Sequence, residues 1–321
     1  MRRWVLVVSM SLVLSACAVP RDRGDVEPKK VAARDDEVTA IFDRYREVRN
    51  SAIELLDPKP LSTVETGAVL AIDTGSFEVS QRLAQTQQGD SAAAVVSQVE
   101  TPEFGQYPLW FYAVVREPGR DVNRVQIFER ESSVDPWLLT ASPETLAETT
   151  LPDIRRRNGS AVTVKPDDGR GMAMSPQDAA DAYVKVLSDP QAPESADVPD
   201  DSFIQQMRDT AATNADLDDV TFSQSWKTDD VRYALRTGDG GALAFVTLVR
   251  EDTYRVARGL TVTWPEGSPQ RAFLSDGISG SGVIAYCHQV LLYLPGGSGA
   301  PRAVGQYGGV ISGEVEDAPT G

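Results

Sequence analysis

Two amphipathic segments, each running into an Asp-Pro stop, set the frame of this chain. The first gathers Val38, Ile41, Phe42, Tyr45, Val48, Ala52, Leu55 and Leu56 on one face at helical spacing, with Asp35 or Asp36 placed to cap it, and stops at Asp57-Pro58. The second opens on Ser175-Pro176-Gln177-Asp178, which supplies an N-cap, a first-turn proline and a capping-box acid. Its apolar face is Ala179, Ala182, Tyr183, Val186 and Leu187, and it stops at Asp189-Pro190. Proline has no N–H to donate and clashes with the preceding turn, so each Asp-Pro ends a helix. The matching ends Leu55-Leu56-Asp57-Pro58 and Leu187-Ser188-Asp189-Pro190 lie 132 residues apart, a spacing that suits a duplicated domain and not a solenoid.

Strand-like runs follow each helix. The first half offers 109–115 and 124–129, where Val125 and Ile127 alternate with polar neighbours. The second offers 221–226, 231–236, 243–250, 254–258, 261–264, 283–294 and 309–315, with Gly238-Asp239-Gly240-Gly241 as a hairpin turn. These patterns predict an α+β fold of two tandem modules, residues 35–171 and 172–316. Each is an amphipathic helix packed on a curved antiparallel sheet. The polar stretch 158–174, with Pro166, Gly169 and Gly171, is the expected seam, and 317–321 is expected to be a disordered tail.

The N-terminus carries an address. Arg2 and Arg3 precede an uncharged run from Trp4 to Leu14. That run fits a secretory h-region of about 7–15 residues and falls short of the ~20 needed for a membrane-spanning helix. It closes on Leu14-Ser15-Ala16-Cys17, which resembles the lipobox of bacterial lipoprotein signal peptides. The expectation is a signal peptide over 1–16, read through Arg2, Arg3, Leu14, Ser15 and Ala16, with Cys17 as the lipidated residue. The alternative is an ordinary signal peptide cut near Ala16. Two or three acyl chains hold stably where one does not, so membrane lipid is the first expected partner. Residues 17–34 are poor in apolar side chains and read as a flexible tether, roughly 20–25 Å end to end as a coil.

Charge and cysteine content narrow the function classes. Removing Arg2 and Arg3 takes the net charge from −16 to −18, which argues against nucleic acid and against a polybasic grip on anionic lipid. With Cys17 committed to lipid, Cys287 has no partner, so the exported body has to stand on its apolar core without disulfides.

The order of a long helix, a short helix and a meander of long strands resembles the NTF2-like or cystatin-like cone. The lipobox, Glu65-Thr66-Gly67 ahead of Leu70-Ala71-Ile72-Asp73, and Tyr107-Pro108-Leu109-Trp110-Phe111 resemble actinobacterial lipoproteins of unknown function. That resemblance implies a location and a fold, and no activity.

Chemical motifs are weak. The lone histidine, His288, adjoins Cys287, but neighbours on a strand point to opposite faces, so the pair reads as a core thiol and a partly exposed imidazole. One histidine does not make a multi-histidine zinc site, and no metal or cofactor is expected. Gly277-Ile278-Ser279-Gly280-Ser281-Gly282 lacks the elbow glycine and precedes a strand, so it reads as a connection. Asp216, Asp218 and Asp219 lack the calcium-loop glycine and glutamate and read as a solvated turn, while Asp197, Asp200 and Asp201 read as the approach to a helix near Phe203. Trp110, Phe111 and Tyr112 place rings on both faces of a strand, either as core and inter-module contact or as one wall of a ligand pocket. The functional expectation is a lipid-anchored protein on the extracytoplasmic face of the membrane. It acts without catalysis as a binding or interaction module for an envelope protein or small ligand. The alternatives are an enzyme with an NTF2-like pocket and a small-molecule-binding lipoprotein.

Overall fold

The computed structural model describes residues 29–87, 94–117, 119–147 and 149–316. The signal segment, Cys17 and the tail 317–321 therefore lie outside the described residues.

The N-terminal half starts with β1 (Lys30–Val31), α1 (Asp35–Leu55), a 3₁₀ turn (Lys59–Thr63) and α2 (Gly67–Leu83). Strands β2 (Val95–Glu100), β3 (Glu103–Phe104), β4 (Leu109–Arg116), β5 (Asn123–Arg130), β6 (Leu138–Ala141) and β7 (Glu144–Thr145) follow. A small hairpin, β8 (Arg156–Arg157) and β9 (Ser160–Ala161), leads to α3 (Pro176–Ser188) and α4 (Ser202–Ala215). The rest is β10 (Val220–Thr228), β11 (Tyr233–Arg236), β12 (Ala242–Val256), α5 (Pro269–Phe273), β13 (Ser281–Leu294) and β14 (Arg302–Glu316).

The class is α+β, with few helices on a curled antiparallel sheet. In place of two separate sheets, ten strands form one, in the order β10-β12-β13-β14-β7-β5-β4-β2, with β11 on β12 and β6 on β5. The two-residue β7 joins the halves: Glu144 and Thr145 pair with Gln306 and Gly305 of β14, and Glu144 also pairs with Arg124 of β5. Register shifts at Ala285/Tyr286 and Leu291/Leu292 mark irregularities in the β13–β14 ladder, where local twist increases.

Helix α3 starts as its residues predict. The Ser175 hydroxyl accepts from the Asp178 N–H at 3.1 Å, Pro176 takes the first position, and Ala179, Ala182, Tyr183, Val186 and Leu187 are buried. Asp201 caps α4 by accepting from the Ile204 N–H at 2.9 Å. Helix α1 begins one step earlier than a cap at Asp35 or Asp36 requires. Arg34 holds the N-cap position without a side-chain bond, and Asp35, Asp36 and Glu37 fill the first turn, where they complement the helix dipole. Leu55 is exposed, outside the buried stripe. The last residues assigned to the tether are part of the body: Lys30 and Val31 pair with Phe104 and Glu103, and Ala32 and Ala33 are buried.

Apolar cores define the packing. One, with Tyr183, Phe203, Leu248 and Leu292, lies between α3, α4 and the β10–β14 strands. A second, with Phe42, Tyr45, Phe111 and Phe128, lies under α1. A third belongs to both halves, joining Trp110, Tyr112 and Ile127 to Tyr233, Leu243, Phe245 and Leu291. Helix α2 belongs to the N-terminal half in sequence yet packs on β13 and β14. It lies so close that a Cβ on Gly75 would overlap the Val310 carbonyl oxygen, so only glycine fits there.

Candidate functional site

Trp110, Phe111 and Tyr112 are all buried, and the pleat of β4 divides them. Phe111 stacks on Phe128 at 5.3 Å between ring centroids in the core under α1. Trp110 and Tyr112 face the other way, edge-on to Tyr233 and Phe245 of the C-terminal half. At roughly 1.5–3 kcal/mol for each large apolar side chain, Trp110 and Tyr112 fasten the halves together while Phe111 holds α1 to the sheet.

A cleft of about 140 Å³ opens where the halves meet. Its walls are Gly67 and Ala68 at the start of α2, Thr140 and Ala141 of β6, Asp229, Asp230, Arg232 and Tyr233, and Phe245, Val246, Thr247, Gln289 and Val290 of β12 and β13. Gln289 spans the junction, donating to the Thr140 carbonyl at 2.7 Å and accepting from the Ser142 N–H at 2.9 Å. Beneath the rim, the Tyr233 hydroxyl donates to Glu129 at 2.7 Å and Arg232 donates to both Glu129 oxygens at 3.0 and 3.1 Å. Burial raises the Glu129 carboxyl above its ordinary range against the pull of those donors. The cleft mixes apolar groups with charged and polar ones, Asp229, Asp230, Arg232 and Gln289 among them, and is smaller than the roughly 300–1,000 Å³ of a drug-sized ligand site.

Two clusters of ionisable groups lie in the interior. On the β12–β13 face under α4, Arg250 sits 3.6 Å from the centre of the Tyr286 ring and 5.7 Å from that of Trp226. It pairs with Asp252 at 3.3 Å, and Gln224 donates to the same carboxylate at 2.9 Å. His288 completes the belt against Trp226, Phe203 and Tyr286. Burial, with the Arg250 charge adding to it, holds His288 down at about 3, so it is neutral at ordinary pH. The imidazole expected to be partly exposed is only 8% exposed, because α4 closes over it. Cys287 points to the opposite face, 3% exposed, and burial pushes its thiol up to about 12. The thiol and the imidazole do not meet.

The second cluster joins α1, α2 and β14. Arg49 donates to Glu65 at 3.1 Å and to Asp73, and the Tyr307 hydroxyl donates to Asp73. Glu65 and Asp73 are 1% and 2% exposed. Burial, then the Asp73 charge, raise Glu65 to about 9 despite Arg49, so Glu65 keeps its proton at neutral pH.

The family model described as a domain of unknown function, DUF8094, matches residues 30–314. The chain belongs to this family. Among curated relatives, an uncharacterized lipoprotein of Streptomyces avermitilis is 26% identical over 292 residues, covering 86% of this chain and 85% of the relative. A second uncharacterized lipoprotein, from Streptomyces coelicolor, is 24% identical over 262 residues, covering 80% of this chain and 78% of its own length. The DUF8094 chain is thus similar to actinobacterial lipoproteins, and no solved structure matches it. None of its described helices is long and apolar enough to cross a membrane.

Sequence reasoning passed over Arg250, Asp252, Glu65 and Asp73. A signal for the first two was available: a charge at every second position of a strand, Arg250 then Asp252, places both on one face with their charges opposed. Glu65 and Asp73 bracket the motif already quoted for the family resemblance, but their meeting on Arg49 is tertiary.

Proposed function

We propose that this DUF8094 protein is an extracytoplasmic lipoprotein, cleaved before Cys17 and acylated there, with Arg2, Arg3, Leu14, Ser15 and Ala16 as its export and processing signal. The order of those residues supports the reading, as does the description of both relatives as lipoproteins. Residues 35–171 and 172–316 are taken as two modules. The C-terminal one, with α3 and α4 over the β10–β14 meander, is the better NTF2-like or cystatin-like candidate.

Its role is binding without catalysis, for a small ligand or an envelope partner engaged at the junction of the halves. The observation that carries this is the 140 Å³ cleft walled by both halves. Such junctions are preferred places for ligand sites. The test extracts the full-length chain from its native envelope and identifies what co-purifies, beside an Ala68→Trp variant that fills the cleft. A molecule retained by the parent and lost from the variant is the expected result. Equal retention by both, or nothing retained by the parent, sinks the proposal.

A second reading, an enzyme working in the cone, is favoured by the convergence of Arg250, Asp252 and His288 on one sheet face. It requires α4 to move aside, because all three side chains are less than a tenth exposed. His288→Gln separates the readings: it removes any turnover but leaves cleft binding intact.

A further inference from the structure

We propose that the outer edge of β10 docks an extended segment of a partner protein, which joins the ten-stranded sheet as a further strand and carries basic residues at its two ends. This surface is separate from the cleft and does not depend on it.

Strand β10 ends the sheet, so β12 is its one strand neighbour among the described residues. The two run antiparallel over nine pairs, Val220↔Val256 to Thr228↔Leu248, with no shift of register. Bonds at both ends fix the phase of this ladder. The Asp229 N–H donates to the Thr247 carbonyl at 3.3 Å, and the Ala257 N–H donates to that of Asp219 at 3.0 Å. Hydrogen-bonded and non-hydrogen-bonded pairs alternate along an antiparallel ladder. Thr221, Ser223, Ser225 and Lys227 therefore turn their backbone groups to β12, and Val220, Phe222, Gln224, Trp226 and Thr228 turn theirs outward. No described residue bonds any of those outward N–H or C=O groups. A whole row of unpaired backbone groups is tolerated only where solvent reaches it.

The row is built to accept a strand. Phe222 and Trp226 pack inward, while Thr221, Ser223, Ser225 and Lys227 are exposed, so short side chains line most of the outer face. Edges that refuse partners carry proline, bulges or several lysines. Strand β10 has no proline, no bulge and a single lysine.

Charge selects the occupant. Asp216, Asp218 and Asp219 flank the start of β10, Asp229 and Asp230 flank its end, and all five are exposed. Lys227, Arg255 and Arg258 offset them only in part, three cations against five carboxylates. Arg232, just beyond, is taken up by Glu129 and Glu131. A second copy is thereby disfavoured. Two-fold pairing of β10 with itself about Gln224 would set Asp218 and Asp219 against Asp230 and Asp229 of the partner subunit, and again at the other end. Like charges directly opposite destabilise a strand pair. A segment with Lys or Arg at each end meets the same carboxylates with the opposite sign. Its main chain supplies affinity, and its ends supply the choice of partner.

The test uses the full-length chain and a capped synthetic peptide, Lys-Lys-Thr-Val-Thr-Val-Thr-Val-Thr-Lys-Lys, beside a counterpart with Glu at the four end positions. Amide hydrogen exchange is followed residue by residue by NMR. Without peptide, the outward amides of Val220, Phe222, Gln224, Trp226 and Thr228 should exchange fast, and those of Thr221, Ser223, Ser225 and Lys227 slowly. With the Lys-ended peptide at about ten times its dissociation constant, the outward set should slow about tenfold and the inward set should not change. Asp216→Lys combined with Asp218→Lys, both at exposed positions, should weaken that peptide while melting like the parent. Slow outward amides in the free monomer would mean that the edge is already covered, and would overturn the proposal. No protection by the Lys-ended peptide at millimolar concentration, or equal protection by the Glu-ended one, overturns it as well. Protection that grows with protein concentration alone gives the edge to a second copy and overturns the basic partner.

Discussion

The Tyr307 hydroxyl on β14 donates to the Asp73 carboxylate on α2, so a single hydrogen bond ties a helix of the N-terminal half to a strand of the C-terminal half. Asp73 is buried and Tyr307 partly buried among α1, α2 and β14, and the acceptor also takes a bond from Arg49. Hydrogen bonds to charged groups contribute about 1.5–3 kcal/mol. Tyr307→Phe should lower the free energy of unfolding by that order, read from the denaturant midpoint. An unchanged midpoint would show that the halves do not depend on this bond.

Glu65 makes a pH prediction with a definite sign. Its carboxyl rises from the ordinary 4.5 to about 9 on folding, through burial first and the Asp73 charge second. The folded chain therefore holds a proton that the unfolded chain has released between those values. The contribution is fully present below 4.5 and is lost as pH rises through about 9, by up to ~1.4 kcal/mol per pH unit. Glu65→Gln keeps the shape of the neutral acid and removes the titration. Urea unfolding at a series of pH values should show a shallower decline for the variant on the alkaline side. Parallel curves would refute the assignment of that proton to Glu65.

His288 predicts the opposite limb. Burial lowers it from 6.5 to about 3, so the unfolded chain binds a proton in that window and the folded chain does not. Stability is full above 6.5 and is lost as pH falls through about 3. His288→Phe, placed among Trp226, Phe203 and Tyr286, should melt with a weaker acid dependence than the parent between those limits. An identical acid limb would mean that other groups carry it.

These interior groups show where the sequence was legible. The caps at Ser175 and Asp201 and the Pro58 and Pro190 stops are local chemistry and could be read directly. The short helix expected after α1 is not placed by its own residues, since α2 carries Gly67 and Gly75, which have poor helix propensity. Gly67 opens it at φ +60°, and Gly75 is demanded by Val310 on another strand. Strand β12 is expected as two pieces, 243–250 and 254–258, with Glu251-Asp252-Thr253 left between them. The chain runs straight through, with Arg250 and Asp252 turned inward and neutralising each other. The single sheet was illegible for a different reason: the two residues of β7 that join it have no periodicity to show.

Cys17 and Cys287 separate chemically. Cys17→Ala should move the protein from the detergent phase to the aqueous phase, and unchanged partitioning would remove the acylation reading. Cys287 should resist thiol reagents in the native state, since burial leaves the thiol up at about 12. Cys287→Ala should cost on the order of a kilocalorie or more as a lost core contact, without loss of binding. Rapid labelling of the native protein would contradict burial.

The seam between the halves gives the last prediction. If residues 172–316 are a module, a chain starting at Met172 should fold with mixed helix and sheet. The structure says what that chain gives up. Ile154 bridges to Thr237 and Thr163 to Leu235, the Val164 N–H donates to the Ala234 carbonyl at 2.9 Å, and the Arg236 N–H donates to that of Val162 at 2.7 Å. Val164 is also buried in the core under α3. Stretch 154–164 thus acts as an added edge on β11. Starting at Met172 strips several backbone bonds, each contributing about 1 kcal/mol, and uncovers the apolar face formed by Tyr233, Leu235 and Phe245. A chain starting at Pro152 keeps the edge. By circular dichroism and thermal melting, the longer chain should unfold cooperatively at a higher temperature than the shorter one, and both should melt below the whole protein. A longer chain with no cooperative transition would mean that the shared core cannot be divided, and the two-module reading would fall.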